Sequence, residues 1–304
     1  MNEYLDDDIN TVIEKAVARS APLSPIDAEA RRRRVEENRE AAELARKALA
    51  GGMDVEQLDG LASELAKVRR ARIDDDRLRA IAESPRIRQQ LAELTPALPV
   101  PPDSTNEIVD RVTFIRSFAG AGVVIDSNVG SLDSWARYRL NASAGAYGTS
   151  GVGRLSFFTL WRNPRSETIV AGVGARLVTH AHLTVDADWN GVAAWFIGGS
   201  EARATVRART TVMAMWDSSV RAVVSDVVLG SAGASGEFFG DDDSASITVN
   251  EFLPGSGFTI PSHAAVLIEV ALLTEYAVTS GTVDFDAASS DFQISVPHLI
   301  ITVT

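Results

Sequence analysis

The sequence predicts a chain of two parts: an α-helical N-terminal region at residues 1–94 and a C-terminal antiparallel β-sandwich, jelly-roll or Ig-like, at residues 106–304. A proline-rich linker at 95–105 joins them. Three observations carry this reading. Apolar residues recur at three- and four-residue steps before the linker and at every second residue after it. All five Trp, all eleven Phe and all four His lie beyond the linker. Thr95 to Pro102 holds four prolines, whose fixed φ and missing N–H block a helix and favour an extended spacer.

In the N-terminal part, Ser24-Pro25-Ile26-Asp27 is a helix start: Ser caps, Pro occupies the first turn and Asp follows three residues after the cap. Gly51-Gly52 stops that helix. Within it, Arg31 to Arg34 point around more than a full turn, and Glu36, Glu37, Glu40 and Glu43 lie in reach to neutralise them. A salt-bridged solvent face is therefore expected there rather than a nucleic-acid site.

The next helical stretch carries an apolar stripe of Val55, Leu58, Leu61, Leu65 and Val68, and Leu78, Ile81, Ile87, Leu91 and Leu94 repeat it less regularly. So narrow a stripe buries too few side chains to hold an independent bundle. It needs a partner surface, supplied by the β domain or by further copies of the chain.

Beyond the linker, Phe118 to Arg154 is rich in Gly, Ala and Ser and reads as short strands, a loop or a closely packed surface. The clearest strand runs from Arg176 to Trp189. Leu177, Thr179, Ala181, Leu183, Val185, Ala187 and Trp189 take one face, and His180, His182, Thr184, Asp186 and Asp188 the other. Asn190-Gly191 is a hairpin turn, with Val192 to Ile197 as the return strand. Glu201 to Trp216 alternates again. Later strands are expected at Val220 to Leu229, Ser246 to Phe252, Ala265 to Val278, Thr282 to Phe285 and Phe292 to Val303.

Composition narrows the function classes. The chain has 304 residues, enough for two cores, and its 45% hydrophobic and 23% charged content is that of a folded protein. A net charge of −12 opposes binding to nucleic acid or an anionic membrane. The absence of Cys removes disulfides, thiolate catalysis and Cys-ligated metals. The acidic start, Met1 to Asp8, lacks the basic region of a signal peptide, and no apolar run reaches transmembrane length. The expected location is the cytoplasm or an assembled particle.

Few residues suggest chemistry. No phosphate-binding loop and no nucleophile elbow occur, so no catalytic residue is assigned and an enzyme is not expected. His180 to Asp188 spans about 26 Å of strand, too far for one coordination sphere. Asp241, Asp242 and Asp243, read as a loop, are the metal candidates, with calcium as the only cofactor proposed, because clustered carboxylates suit a hard cation. Asp284 and Asp286 share a strand face as a formal acid/base pair. Trp135 and Trp161, beside the Gly-rich region, are expected at an interface.

The leading expectation is a non-enzymatic structural or assembly protein of virion or appendage type. It forms a homo-oligomer or larger assembly through Val55, Leu58, Leu61, Leu65 and Val68 and displays the sandwich. The alternatives are a sandwich that binds glycan or another small ligand, with or without calcium, and a pore former built on the strand from Glu201 to Trp216.

Overall fold

The structure is a computed structural model that describes Gly51 and residues 105–303, apart from residues 110, 119–121, 145–148, 189–199, 218–220, 237–240, 256 and 290. The helical region with Val55, Leu58, Leu61, Leu65 and Val68, nearly all of the linker, Trp189 and the Asn190-Gly191 hairpin lie outside the described residues.

The described chain is β-strand and connecting turn: β1 (Thr105–Val109), β2 (Phe114–Phe118), β3 (Gly122–Asn128), β4 (Trp135–Ala144), β5 (Thr149–Arg162), β6 (Ile169–Ala187), β7 (Ser200–Ala214), β8 (Arg221–Gly236), β9 (Asp241–Leu253), β10 (Gly257–Ile260), β11 (Ala265–Val278), β12 (Gly281–Ala287), β13 (Gln293–Ser295) and β14 (Leu299–Val303). They form two antiparallel sheets. The small sheet has five strands in the order β2-β5-β11-β7-β8, and the large sheet has nine, centred on β6, which pairs with β9 and β10 along one edge and β12, β13 and β14 along the other.

Among the long strands the pairing is nested. β4 pairs with β12, β5 with β11, β6 with β9 and β7 with β8, so first meets last and the pairs close inward. Consecutive long strands from β4 to β7 alternate between the sheets, giving β4-β12-β6-β9 on one and β5-β11-β7-β8 on the other. Nested pairing across two sheets is the double Greek key of a jelly roll. The sandwich expected from the sequence is therefore present, in jelly-roll rather than Ig-like order.

Strict alternation puts the core between the sheets. From β6, Leu177, Ala181, Leu183 and Val185 face inward, and from the small sheet Val206, Val212, Ile268, Val270 and Leu272 meet them in one buried cluster. Each such Val, Leu or Ile contributes roughly 1.5–3 kcal/mol on leaving water.

The Gly-rich stretch proves to be β3, β4 and the start of β5, and its glycines have a steric reason. A Cβ on Gly122 or Gly153 would overlap the Tyr138 ring or hydroxyl, so both make room for a fully buried aromatic. Gly281 opens β12 at φ 127°, a conformation L side chains rarely adopt.

Several boundaries differ from expectation. β6 begins at Ile169 and β9 at Asp241, and the run expected from Phe292 to Val303 is divided into β13 and β14 around Pro297, which has no N–H to give a ladder. Trp161 is 5% exposed and belongs to the main core, so it offers no ring to a partner.

Candidate functional site

The outward face of the large sheet gathers the polar residues that alternation keeps out of the core. Register aligns them in rows. Arg139 of β4, Asp286 of β12, His182 of β6 and Ser246 of β9 form one row. Asn141, Asp284, Thr184 and Ser244 form the next, and Ser143, Thr282, Asp186 and Asp242 the third. His180 lies beside Gln293 and Thr248, with the Phe292 ring 4.5 Å away. Trp135 stands half-buried on the same face with the Arg137 guanidinium 5.8 Å from its ring centroid.

Asp284 and Asp286 are two residues apart and differ electrostatically. Burial works to raise the Asp286 pKa, but hydrogen bonds from the Ser289 hydroxyl, the backbone N–H groups of Ala288 and Ser289, and Arg139 outweigh it and hold the carboxyl below its ordinary value. Arg139 Nη2 donates to Asp286 Oδ2 at 3.2 Å and to Ser289 Oγ at 2.8 Å, while Asp286 Oδ1 accepts from Ala288 N at 2.8 Å and Ser289 N at 3.0 Å. Asp284 moves the other way. Burial and the Asp286 charge push its pKa up, against Arg139, a hydrogen bond from Asn141 and the nearby His182. Its Oδ1 is enclosed and has no hydrogen-bond partner. Asp186 is also raised, by burial first and then by the charges of Asp188 and Asp242.

The expected calcium ligands do not converge. Asp241, Asp242 and Asp243 are consecutive strand residues of β9, so their side chains alternate between faces. Asp241 Oδ2 accepts from Ser235 N at 3.2 Å and Asp243 Oδ2 from Gly233 N at 3.1 Å, tying β9 to β8, while Asp242 lies opposite Asp186 on the outer face. Among the described residues no group of three His, Asp or Glu side chains gathers to hold a metal.

The small sheet's outward face is different in kind. Phe114 and Phe118 of β2, Phe158 and Leu160 of β5, Leu267 of β11 and Met213 of β7 form a second apolar cluster, separate from the main core. Phe114 stacks on Phe158 with centroids 4.7 Å apart. Beside it Arg154 clasps Glu269 through the Nε–Nη2 edge of its guanidinium, Nε donating to Oε1 at 2.8 Å and Nη2 to both carboxylate oxygens, and Ser156 Oγ donates to Oε1 at 2.5 Å. Further along, Arg209 pairs with Asp226 at 2.7 Å.

Sequence reasoning missed Arg139 and Asn141, which fell in the stretch where short strands, a loop and a packed surface were all left open. The alternation from Trp135 to Ser143 was the available signal. It also missed the Arg154–Glu269 pair, for which a Glu inside the apolar run of β11 was the only hint.

No protein-family model matches this chain, and no curated protein matches it. Structural similarity is weak. The structure of infectious bursal disease virus Gx strain is 8% identical, covering 63% of this chain and 41% of that one at a TM-score of 0.16. The carbohydrate-binding module CBM36 in complex with calcium and xylotriose is 8% identical, covering 59% of this chain and 99% of that one at 0.17. TmCBM27, a carbohydrate-binding module described for mannan recognition, is 10% identical, covering 64% and 98% at 0.19. Likenesses at these scores carry no argument about function. Among the described residues no helix is long and apolar enough to cross a membrane.

Proposed function

We propose that the chain is a non-enzymatic recognition protein that holds a hydroxyl-rich ligand, a glycan strand by its chemistry, along the outward face of the large sheet. The observation that carries this reading is Asp284. Its Oδ1 is enclosed without a partner, next to an Asp286 carboxylate held ionised. A buried polar atom left unpaired is costly, and turning the Asp284 side chain out to a ligand hydroxyl would relieve it. Sugar hydroxyls donate and accept at once, so a face pairing acceptors (Asp284, Asp286) with donors (Arg139, Asn141) suits them, and Trp135 and Phe292 supply apolar ring surface at one end.

A glycan array probed with the full chain, followed by calorimetry on the hits, tests the proposal. Binding should weaken by about tenfold or more in Asp284→Ala, roughly 1.4 kcal/mol, and should persist in chelator because the Asp241 to Asp243 carboxylates do not converge. An array without hits, or an Asp284→Ala protein that binds as well as the parent, sinks it.

The second reading is the structural or assembly protein of virion or appendage type. The jelly-roll order favours it as much as the first, being common to capsid and lectin domains. It predicts a defined oligomer in sedimentation, joined through Val55, Leu58, Leu61, Leu65 and Val68. The pore alternative has less support. β7 lies between β11 and β8 with its small residues in the core, and Arg207 and Arg209 already face Asp226 and Glu275.

A further inference from the structure

The middle of the small sheet is buried on both faces although its outer cluster is drawn from that sheet alone, while Arg116 of β2 and Val223 of β8, on the same outer face at the two edges, are exposed. Every described member of the cluster comes from β2, β5, β7 or β11, or from Met215 just after β7. Side chains on an uncovered sheet touch their strand neighbours and keep their tips in water. Here Leu267 and Glu269 are 0% exposed, Phe158 1% and Met213 2%. None of the described strands supplies a layer over them.

We infer that the apolar stripe of residues 55–68 is that layer, docked in cis on the outward face of the small sheet. Chemistry, size and reach agree. Val55, Leu58, Leu61, Leu65 and Val68 recur at helical steps, make one apolar ridge and need a partner surface. As a helix the segment would be about 21 Å long. The cluster crosses from β2 to β7, about 14 Å at ordinary strand spacing. Arg69 to Ser104 lies between the stripe and β1, chain enough to reach either edge of the sandwich. The outer face pairs its own charges, Arg154 with Glu269, Arg203 with Glu201, Arg207 with Asp226 and Glu275, and Arg209 with Asp226, so what it asks of a cover is apolar surface. Docking also explains the Arg154–Glu269 pair, because a buried ion pair is tolerated only when fully hydrogen-bonded and it stays dry only beneath a cover. The stripe that suggested oligomerisation is thereby satisfied within one chain.

The absence of Cys makes the test clean. In the full chain, Leu61→Cys is combined with Leu160→Cys at the edge of the cluster, or with Val123→Cys on the large sheet as control, and each protein is treated with a short bis-maleimide. The expected result is a cross-link at monomer mass with Leu160→Cys and none with Val123→Cys. A link found only at dimer mass overturns the inference in favour of a second copy. A link formed by Leu91→Cys with Leu160→Cys but not by Leu61→Cys overturns it in favour of the second stripe, and no link at all removes the N-terminal segment from this face. A second measurement guards against misfolded Cys variants. Hydrogen exchange on Leu58→Asp/Leu61→Asp should deprotect β5 and β11 and leave β6 and β12 as in the parent; equal loss in both sheets, or no loss, counts against the docking.

Discussion

The two outward faces of this jelly roll obey opposite rules. On the large sheet the three rows across β4, β12, β6 and β9 are polar, the row of Arg139, Asp286 and His182 stays in reach of water, and Asp286 is held by several donors. On the small sheet the same alternation delivers Phe158, Leu267 and Met213 to the outside and buries an ion pair among them. On the readings proposed above, the first face is the one that meets a ligand and the second the one that packs against protein.

The sharpest way to break this contrast is to remove one member of the buried pair. Glu269→Ala leaves the Arg154 guanidinium enclosed without its carboxylate, and such a change costs about 3–5 kcal/mol. Denaturant unfolding of the full chain should show it as a lowered midpoint with an unchanged slope. Arg154→Met/Glu269→Leu should recover that loss, with stability equal to the parent or up to about 4 kcal/mol higher, because well-packed apolar groups replace a desolvated pair. If Glu269→Ala costs less than about 1 kcal/mol, the small sheet's outer face is wet and the contrast fails.

How much of this was legible from residues alone follows from the same contrast. β6 and β7 were legible because one of their faces is polar, so the period of two is written in the sequence. β5 was not, because burial on both faces erases alternation, as in the run from Leu155 to Phe158. Arg154 and Glu269 lie 115 residues apart, and nothing local connects them. Asp241 to Asp243 read as a turn because Asp is depleted in strands; the N–H groups of Gly233 and Ser235 hold two of them in β9. On the large sheet Asp284 and Asp286 were visible as a pair sharing a face. Their inequality was not, since it depends on Arg139 and Asn141 from β4. The N-terminal segment lies outside the described residues, and its expected helices stand as a proposal.

Asp284 offers a smaller test, with a sign that separates it from the buried pair. Its folded pKa is raised, so folding favours the protonated form and the ionised carboxylate destabilises the native state at neutral pH. Asp284→Asn should therefore raise stability at pH 7 by up to about 0.5 kcal/mol. The gain should shrink as pH falls through the raised pKa and vanish below the ordinary Asp value, where the parent carboxyl is protonated folded and unfolded alike. Thermal unfolding from pH 7 to pH 3 reads this directly. A gain that grows on acidification contradicts the raised pKa and the enclosure of Oδ1 on which the recognition face rests.

Arg139→Ala should have the smallest effect and the most specific one. The Arg139–Asp286 contact is exposed on the arginine side, 46% by side chain, so its loss should cost only about 0.2–1 kcal/mol. Removing the cation also lifts both neighbouring carboxyls, because Arg139 lowers the pKa of Asp284 through its charge and of Asp286 through its hydrogen bond. Asp286 keeps its bonds from Ala288 and Ser289, so it should rise less than a lone carboxylate losing its only partner. Its stabilising contribution is present above the unfolded pKa and is lost as pH falls through the folded one. In Arg139→Ala that contribution should be smaller and its loss complete at a higher pH than in the parent, and NMR titration of the two carboxyl carbons resolves the raised folded pKa residue by residue. If neither carboxyl moves, Arg139 is a solvated neighbour rather than part of the face, and recognition must be sought among His180, Phe292 and Trp135 instead.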